Sequence, residues 1–169
     1  MADIKKLVQR SKKVAFYKVG DKYERMTGFT SMSKSSNPKE YSRQYVDEDG
    51  EVTDVTGYSP SIDYAFDQYE NNAVHDDIVA ITEDELMGSD AVREIVIVDF
   101  TKQDTGKTGF EARKREYAVI PSTDGDGTDA YTYSGTFKSK SSVVKGIATV
   151  AEDRQSLTFV EAQKKGVSL

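Results

Sequence analysis

The segment Tyr131–Phe159, which reads YTYSGTFKSKSSVVKGIATVAEDRQSLTF, decides the fold class of this chain. It contains three short strand-like runs that are separated by small polar turns. In the first run, from Tyr131 to Lys138, aromatic residues and glycine alternate with threonine, serine and lysine. A period of two is typical of a strand with one apolar face and one solvated face. The segment has no pattern that points to catalysis, and it predicts a surface of packed sheet.

The rest of the chain extends this pattern. Residues 92–101, VREIVIVDFT, carry apolar side chains on both faces, as a central strand that is buried on both sides does. Other segments rich in β-branched and aromatic residues are predicted strands, at 13–19, 23–26, 29–33, 58–69 and 111–120. We therefore predict a mainly β fold of about eight strands with one short α-helix.

The single predicted helix covers about residues 72–87. Asn71-Asn72 starts the helix, because asparagine is a favourable N-cap, and Val74, Ile78 and Ile81 follow at helical spacing as one apolar stripe. Thr82 and Glu85 fit a capping box, with Ile81 and Leu86 as its hydrophobic staple, so a second short turn is predicted to restart there. His75, the only histidine, is predicted to lie on the helix surface.

A long charged excursion covers residues 34–57. Residues 39–46 and 51–56 have the pattern of two arms of a hairpin around the turn Asp47-Glu48-Asp49-Gly50. A polar excursion of about 20 residues is unusual in a compact domain and is often functional. We interpret it as a contact surface rather than a merely mobile hairpin. The candidate assembly contacts are Lys39, Tyr41, Tyr45, Asp47, Glu48 and Val52.

The 169 residues are predicted to form one domain, with a basic N-terminal arm at 1–12 and a polar C-terminal tail at 161–169. The absence of cysteine excludes disulfides and thiolate metal sites. A net charge of −6 argues against a protein that binds nucleic acid by neutralising phosphates. The sequence shows neither a secretory signal nor a membrane span, so we expect no membrane partner.

The charge is unevenly distributed. Residues 1–25 hold eight Lys and Arg against three Asp and Glu, whereas residues 63–104 hold two against twelve. This segregation fits complementary patches for self-association and fits ordinary solvated surface equally well.

Possible chemical motifs are weak. Gly106-Lys107-Thr108 resembles the end of a phosphate-binding loop, but Thr101 stands where its first glycine is needed, which favours a hairpin turn. The acids Asp124, Asp126 and Asp129 of the segment DGDGTD lack the spacing of a calcium-binding loop, and the segment suits a tight turn. Basic and aromatic residues alternate at 113–117 and 133–140, as on a nucleic-acid-binding surface, but the net charge disfavours this use. We expect no enzyme, no catalytic residue, no cofactor and no metal.

The order of these elements resembles a known protein family. A charged hairpin precedes the strand GYSPSIDYAFDQYE, the acidic helix NNAVHDDIVAITEDE and the strand VREIVIVDF, and the segments YSGTFKSKSS and VVKGIATV follow. Over residues 13–160, this order is similar to that of the major tail tube proteins of long-tailed bacteriophages and related prophage particles.

The resemblance implies a β-sandwich or half-open barrel flanked by one short α-helix. It also implies a structural protein of the virion tail that assembles in the host bacterial cytoplasm. Its subunits would form hexameric rings that stack into a tube, enclose a tape-measure protein, meet tail initiator and terminator proteins, and pass DNA transiently. It also implies an acidic lumen, for which Asp63, Asp67 and Asp99 are candidates, although each fits an outer surface equally well. We expect Lys138, Lys140 and Lys145 to oppose the acidic middle of the chain, across a subunit boundary.

Two alternatives stay open. One is another tail structural protein, such as a baseplate, tail-completion or contractile-particle inner tube subunit. The other is a small-ligand-binding β-barrel, which would need an enclosed apolar cavity.

Overall fold

The computed structural model describes residues 4–103 and 109–162. The predicted turn at Gly106-Lys107-Thr108, nearly all of the polar tail and the first three residues of the basic arm lie outside the described residues. The described part contains one α-helix, α1 (Ala73–Glu83), and short 3-10 turns at Arg10–Lys12 and Gly88–Ala91. Its strands are β1 (Lys13–Val19), β2 (Lys22–Arg25), β3 (Phe29–Ser35), β4 (Pro38–Gln44), β5 (Glu51–Tyr58), β6 (Ser61–Asp67), β7 (Val92–Gln103), β8 (Phe110–Asp124), β9 (Thr132–Ser139), β10 (Val144–Val150) and β11 (Ser156–Glu161).

Six of the strands close into an antiparallel barrel. The order around the barrel is β1, β2, β11, β10, β8 and β7, and it closes because β10 pairs with both β11 and β8. Every second residue of these strands points inward, so the barrel encloses an apolar core of its own. This barrel core consists of Val14, Phe16, Val96, Val98, Ala112, Ala148 and Leu157.

Strand β8 belongs to two parts of the molecule. Its first residues, from Phe110 to Lys114, pair with β10 inside the barrel, and its later residues, from Tyr117 to Asp124, pair with β9. From β9 the sheet continues through β6 to β3, which forms its outer edge. We call this β9–β6–β3 extension the open sheet.

Helix α1 lies on the face that the open sheet shares with the outside of the barrel, closest to β1, β2 and β8. The Asn72 side chain accepts hydrogen bonds from the backbone N–H groups of Val74 and His75, so it caps the helix. The predicted stripe of Val74, Ile78 and Ile81 is buried against the sheet, beside Phe66 and Phe137 among others. These contacts form a second core that is distinct from the barrel core.

The helix ends four residues before its predicted end, and no second turn starts at Thr82. Thr82 lies inside α1, where its hydroxyl donates to the Ile78 carbonyl at 2.8 Å. Glu85 adopts a left-handed conformation, with φ of 52°, and the Leu86 N–H donates to the Ile81 carbonyl at 3.1 Å. This arrangement is a Schellman C-cap. The pair Ile81 and Leu86, which the sequence suggested as an N-terminal staple, therefore belongs to the end of the helix.

The predicted mainly β class with one short helix is confirmed. The described residues form eleven strands rather than about eight. The single strand predicted at 58–69 is divided, because β5 ends at Tyr58 and β6 begins at Ser61. Pro60, which has no backbone N–H for a strand ladder, lies at this break.

Candidate assembly surfaces

Strands β4 and β5 form a hairpin that stands apart from both cores. Among residues 4–103 and 109–162 they pair only with each other, in a two-stranded sheet that runs from Pro38 opposite Tyr58 to Gln44 opposite Glu51. Every residue of the two strands is exposed except Gly57, which is partly exposed. A two-stranded hairpin is at best marginally stable alone in water. This hairpin therefore needs packing partners, and the described residues of a single copy do not provide them.

The structure distributes the predicted contact residues along this hairpin. Tyr41 pairs with Asp54 and Arg43 with Val52, and the Arg43 guanidinium lies 5.4 Å from the centre of the Tyr41 ring. Tyr41 and Val52 therefore share one face. The remaining candidates lie at the two ends of the hairpin. Lys39 is near the root, and Tyr45, Asp47 and Glu48 are at the tip.

The root of the hairpin is held by Asn37. This residue has a positive φ of 46°, a conformation that asparagine tolerates better than most residues. Its side-chain amide donates to the Ser59 carbonyl at 3.2 Å and to the Ser61 hydroxyl at 3.1 Å, and its own carbonyl accepts from the Ser59 N–H. These bonds fix the direction in which the hairpin leaves the body.

Asp63 and Asp67 lie on the face of the open sheet opposite α1. Asp63 pairs with Ser33 and Thr136, and its carboxylate accepts a 3.0 Å hydrogen bond from the Thr136 hydroxyl. Small hydroxyl side chains surround both acids. We name this surface the hydroxyl face; it comprises Ser31, Ser33, Ser35, Ser61, Asp63, Ala65, Asp67, Thr132, Ser134 and Thr136.

Asp99, the third predicted lumen acid, does not share this surface. It follows Val98, which points into the barrel, so the Asp99 side chain points out on the face that carries α1 elsewhere. Burial opposes ionisation of Asp99. The hydrogen bonds from Thr101 and the nearby charges of Lys13 and Lys102 outweigh it and hold the Asp99 pKa below its ordinary value. The structure therefore brings together only two of the three acids.

The three predicted contact lysines are exposed but do not form one patch. Lys138 pairs with Ser61 at the end of the hydroxyl face, whereas Lys145 pairs with Arg113 and points out from the barrel on the opposite face. Lys140 follows β9, and its backbone N–H donates to the Glu116 carbonyl. Within the part of the chain that the structure describes, no salt bridge involves these lysines.

His75 is buried, which corrects its predicted surface position. Its Nε2 lies 2.7 Å from the Thr27 carbonyl and therefore donates, while its Nδ1 accepts from the Tyr69 N–H at 3.0 Å. The ring stacks on Phe66 with centres 4.4 Å apart. Burial lowers the pKa of His75, so the ring is neutral and holds α1 against the sheet. The sequence did contain a signal for this burial. His75 stands three residues before Ile78, and residues at this spacing are neighbours on a helix surface, so His75 lies beside the apolar stripe.

A second polar contact, which is partly buried, holds α1 from the other side. The Tyr17 hydroxyl donates to the Asp77 carboxylate, which also accepts from Arg93 Nε at 2.9 Å. Burial and the Asp77 charge raise the Tyr17 pKa, so the phenol stays protonated. This cluster joins α1 to β1 and β7, and it makes a structural contact rather than a reactive site.

The described residues 4–103 and 109–162 contain no group of three or more histidine or acidic side chains placed to hold a metal ion. The acids of the glycine–aspartate loop are used locally, since Asp124 accepts from the Tyr131 hydroxyl and Asp126 from the Thr132 hydroxyl. Among the helices that the structure describes, none has the length and apolar character to span a membrane.

No protein-family model matches the chain, and a comparison with curated protein sequences gives no match. The fold nevertheless has solved counterparts. A chain in the virion of a native gene transfer agent particle is 12% identical with a TM-score of 0.55, covering 81% of this chain and 97% of its own length. A chain in the tail of an empty gene transfer agent particle, refined with C6 symmetry, is 13% identical with a TM-score of 0.52. The match again covers 81% of this chain and 97% of that chain.

The anti-feeding prophage cap, described as a tube-terminating cap, is 14% identical with a TM-score of 0.54, covering 88% of this chain and 96% of that chain. At these identities the similarity establishes a shared fold. The chain shares its fold with chains in the tail of a gene transfer agent particle and in the terminating cap of an anti-feeding prophage tube.

Proposed function

We propose that this chain is a structural subunit of a bacteriophage-type tail, and that copies of it form hexameric rings that stack into a tail tube. The observation that carries the proposal is the hairpin of β4 and β5. It is fixed at its root by Asn37 but has no packing partner along its length among the described residues. Contact with a second copy would cover its exposed tyrosine and valine side chains.

The hydroxyl face supports a tube with a lumen that does not retain DNA. Asp63 and Asp67 stand among short serine and threonine side chains, so this surface is negative and smooth. Phosphates are repelled by such a surface. The residues that form it include no lysine or arginine, and Lys138 lies at its end, beside Ser61. We place Asp63 and Asp67 at the lumen and Asp99 away from it.

The tube would enclose a tape-measure protein, meet tail initiator and terminator proteins at its ends, and conduct DNA. The subunit would act in the virion tail after assembly in the host cytoplasm. Its contribution is geometric, so we propose no enzymatic activity.

The test is electron microscopy of the purified full-length chain at increasing concentration, with and without tail initiator proteins. We expect rings and tubes with sixfold symmetry. The variant that lacks residues 38–56 is the matched comparison, because Asn37 and Ser59 are already hydrogen bonded and the root closes without spanning a gap. It should fold and should not extend tubes. A chain that stays monomeric at high concentration, even when seeded, contradicts the proposal.

A second candidate is a subunit that closes a tube as a single ring. The prophage cap is the specific observation in its favour, because it covers more of this chain than the gene transfer agent tail does. A cap predicts closed rings that never stack, whatever the concentration. The hairpin deletion would then leave ring formation unchanged.

A further inference from the structure

A groove with a cationic rim and an apolar floor lies between β1 and β3. The floor of its deeper part, a cavity of about 270 Å³, consists of Ala15, Met32, Ile62 and Ile97. The rim carries Arg10, Lys13 and Lys34. We call this site the basic groove. It is separate from the hydroxyl face, because Ile62 and Ile97 point to the α1 side of the sheet.

The positive charge of the basic groove is only partly balanced by the acids that the structure describes. The Arg10 guanidinium is held across the groove by the Lys13 carbonyl at 2.6 Å and the Met32 carbonyl at 3.3 Å, which neutralise no charge. Of the nearby acids, Glu111 already pairs with Arg113 at 3.0 Å, and Asp99, which lies opposite Lys13 on β7, offsets part of the Lys13 charge.

The pKa of Lys34 indicates the same excess of positive charge at the groove. Burial lowers its pKa, and the positive charges of Arg115, Arg113 and Lys13 lower it further. Arg115 Nε is itself buried and has no hydrogen-bond partner among the described residues. The groove therefore suits an occupant that combines an apolar side chain with carboxylates.

The tip of the hairpin has this chemistry. Val46 is fully exposed and Tyr45 about half exposed, at 49%. Both are followed directly by three acids in the sequence Tyr45-Val46-Asp47-Glu48-Asp49. The backbone bond from the Glu48 N–H to the Tyr45 carbonyl at 3.1 Å closes the turn and presents these side chains together.

The tip cannot enter the groove of its own chain. Lys34 and Met32 lie on β3, which leads directly into the hairpin root, so the groove is beside the root. The hairpin strands are seven and eight residues long, which places the tip about 23 Å from the root at about 3.3 Å per residue. A rigid paired hairpin therefore reaches only the groove of another molecule.

We propose that the basic groove receives the hairpin tip of a neighbouring copy, with Val46 against the apolar floor and Asp47, Glu48 and Asp49 against the cationic rim. The inference rests on the proposed function, since it names the contact through which copies associate. It is a heterologous contact, in which one patch meets a different patch, and such contacts build rings or helical filaments.

Cross-linking tests the contact directly, because the chain has no native cysteine. Two full-length proteins, Val46→Cys and Met32→Cys, are mixed under assembly conditions and oxidised. We expect a disulfide-linked heterodimer at least tenfold more abundant than with the control pair Val46→Cys and Thr149→Cys. Thr149 is exposed on β10, away from the groove. Yield equal to the control overturns the proposal.

A third pair identifies a competing occupant. The turn after α1 also combines acids with an exposed apolar residue, Met87. Preferential linkage of Met87→Cys to Met32→Cys would assign the groove to that turn and would overturn the proposal.

Charge reversal provides an independent measurement. Lys34→Glu should slow tube growth at least tenfold, whereas Lys22→Glu, an exposed lysine on β2, should leave it unchanged. Adding Asp47→Lys and Glu48→Lys to the Lys34→Glu chain should restore growth, because every copy then carries both reversed partners. A folded Lys34→Glu variant that grows normally contradicts the contact.

The outcomes separate the two levels of the proposal. Tubes that form without Val46–Met32 cross-links leave the proposed function in place and remove only the groove contact. Wild-type protein that forms neither rings nor tubes removes both.

Discussion

At the scale of single residues, the most informative side chains are polar groups that are buried with their partners. His75 uses both ring nitrogens, one toward Thr27 and one toward Tyr69. Tyr17 and Arg93 share the Asp77 carboxylate. A buried polar group without its partner costs about 1–3 kcal/mol, so these residues specify how α1 lies on the sheet.

The pH dependence of stability should report His75. Burial holds its pKa below the ordinary value near 6.5, so the unfolded chain takes up a proton at a higher pH than the folded chain does. The contribution of His75 to stability is therefore complete above about pH 6.5 and decreases as the pH falls below that value. Denaturant unfolding at pH 7.5 and 5.5 measures the loss.

The same residue offers a direct check, because its resonances are the only histidine signals in the spectrum. Proton NMR should give a His75 pKa below 6.5. A midpoint at or above 6.5 would contradict the buried, neutral ring.

Gly135 should not tolerate a side chain. A Cβ at this position would lie 2.5 Å from the Ile120 carbonyl oxygen and 2.7 Å from the Tyr64 hydroxyl. Because the nearest atom is backbone, we expect Gly135→Ala to lower the free energy of unfolding by about 1–3 kcal/mol. Gly57→Ala is the matched control, since no atom lies within 4 Å of its Cβ, and its effect should stay near 0.5 kcal/mol. Equal effects of the two substitutions would contradict this packing.

At the scale of elements, the positions of helix α1 and of the hairpin were the ones that local sequence patterns predicted best. Asn72 and the stripe of Val74, Ile78 and Ile81 act within about three turns of one helix, so their effect is visible in a short window. The arms of the hairpin flank a turn with an Asp-Gly pair, which is also a local signal. The interpretation of Thr82 and Glu85 failed because a helix end and a new helix start use similar residues.

The N-cap of α1 provides a test at this scale. Asn72→Ala removes the acceptor for two backbone N–H groups. It also removes the hydrogen bond that the Asn72 side-chain amide donates to the Thr27 hydroxyl. We expect a loss of about 1 kcal/mol in the free energy of unfolding. Asn72→Asp keeps the acceptor and should lose less. An alanine variant as stable as the wild type would mean that the cap contributes nothing.

At the scale of the whole molecule, the sequence did not predict which strands pair with each other. Period-two alternation identifies strands such as β9 and β10 but does not say which strands are neighbours. The closure of the barrel depends on β10 meeting β8, a contact between segments separated by about 30 residues. For the same reason, the separation of Asp99 from Asp63 and Asp67 appears only once the register is known.

The lysines belong to this scale as well, because their predicted partners lie on other copies. Reversing Lys138, Lys140 and Lys145 together to glutamate should weaken ring formation and leave the monomer folded, since all three are exposed. Light scattering measures assembly, and circular dichroism checks the fold. An unfolded variant would instead place these lysines in the support of the core, and unchanged assembly would exclude them from the interface.

The shared strand β8 has a thermodynamic consequence. The described part of the chain has two apolar cores, one inside the barrel and one beneath α1, and separate cores often melt separately. Here the fifteen residues of β8 supply hydrogen-bonded edges to both parts, so neither core survives the loss of that strand. The monomer should therefore unfold cooperatively, as a single calorimetric transition whose van't Hoff enthalpy equals the measured enthalpy. Two resolved transitions would show that the barrel and the open sheet are energetically independent.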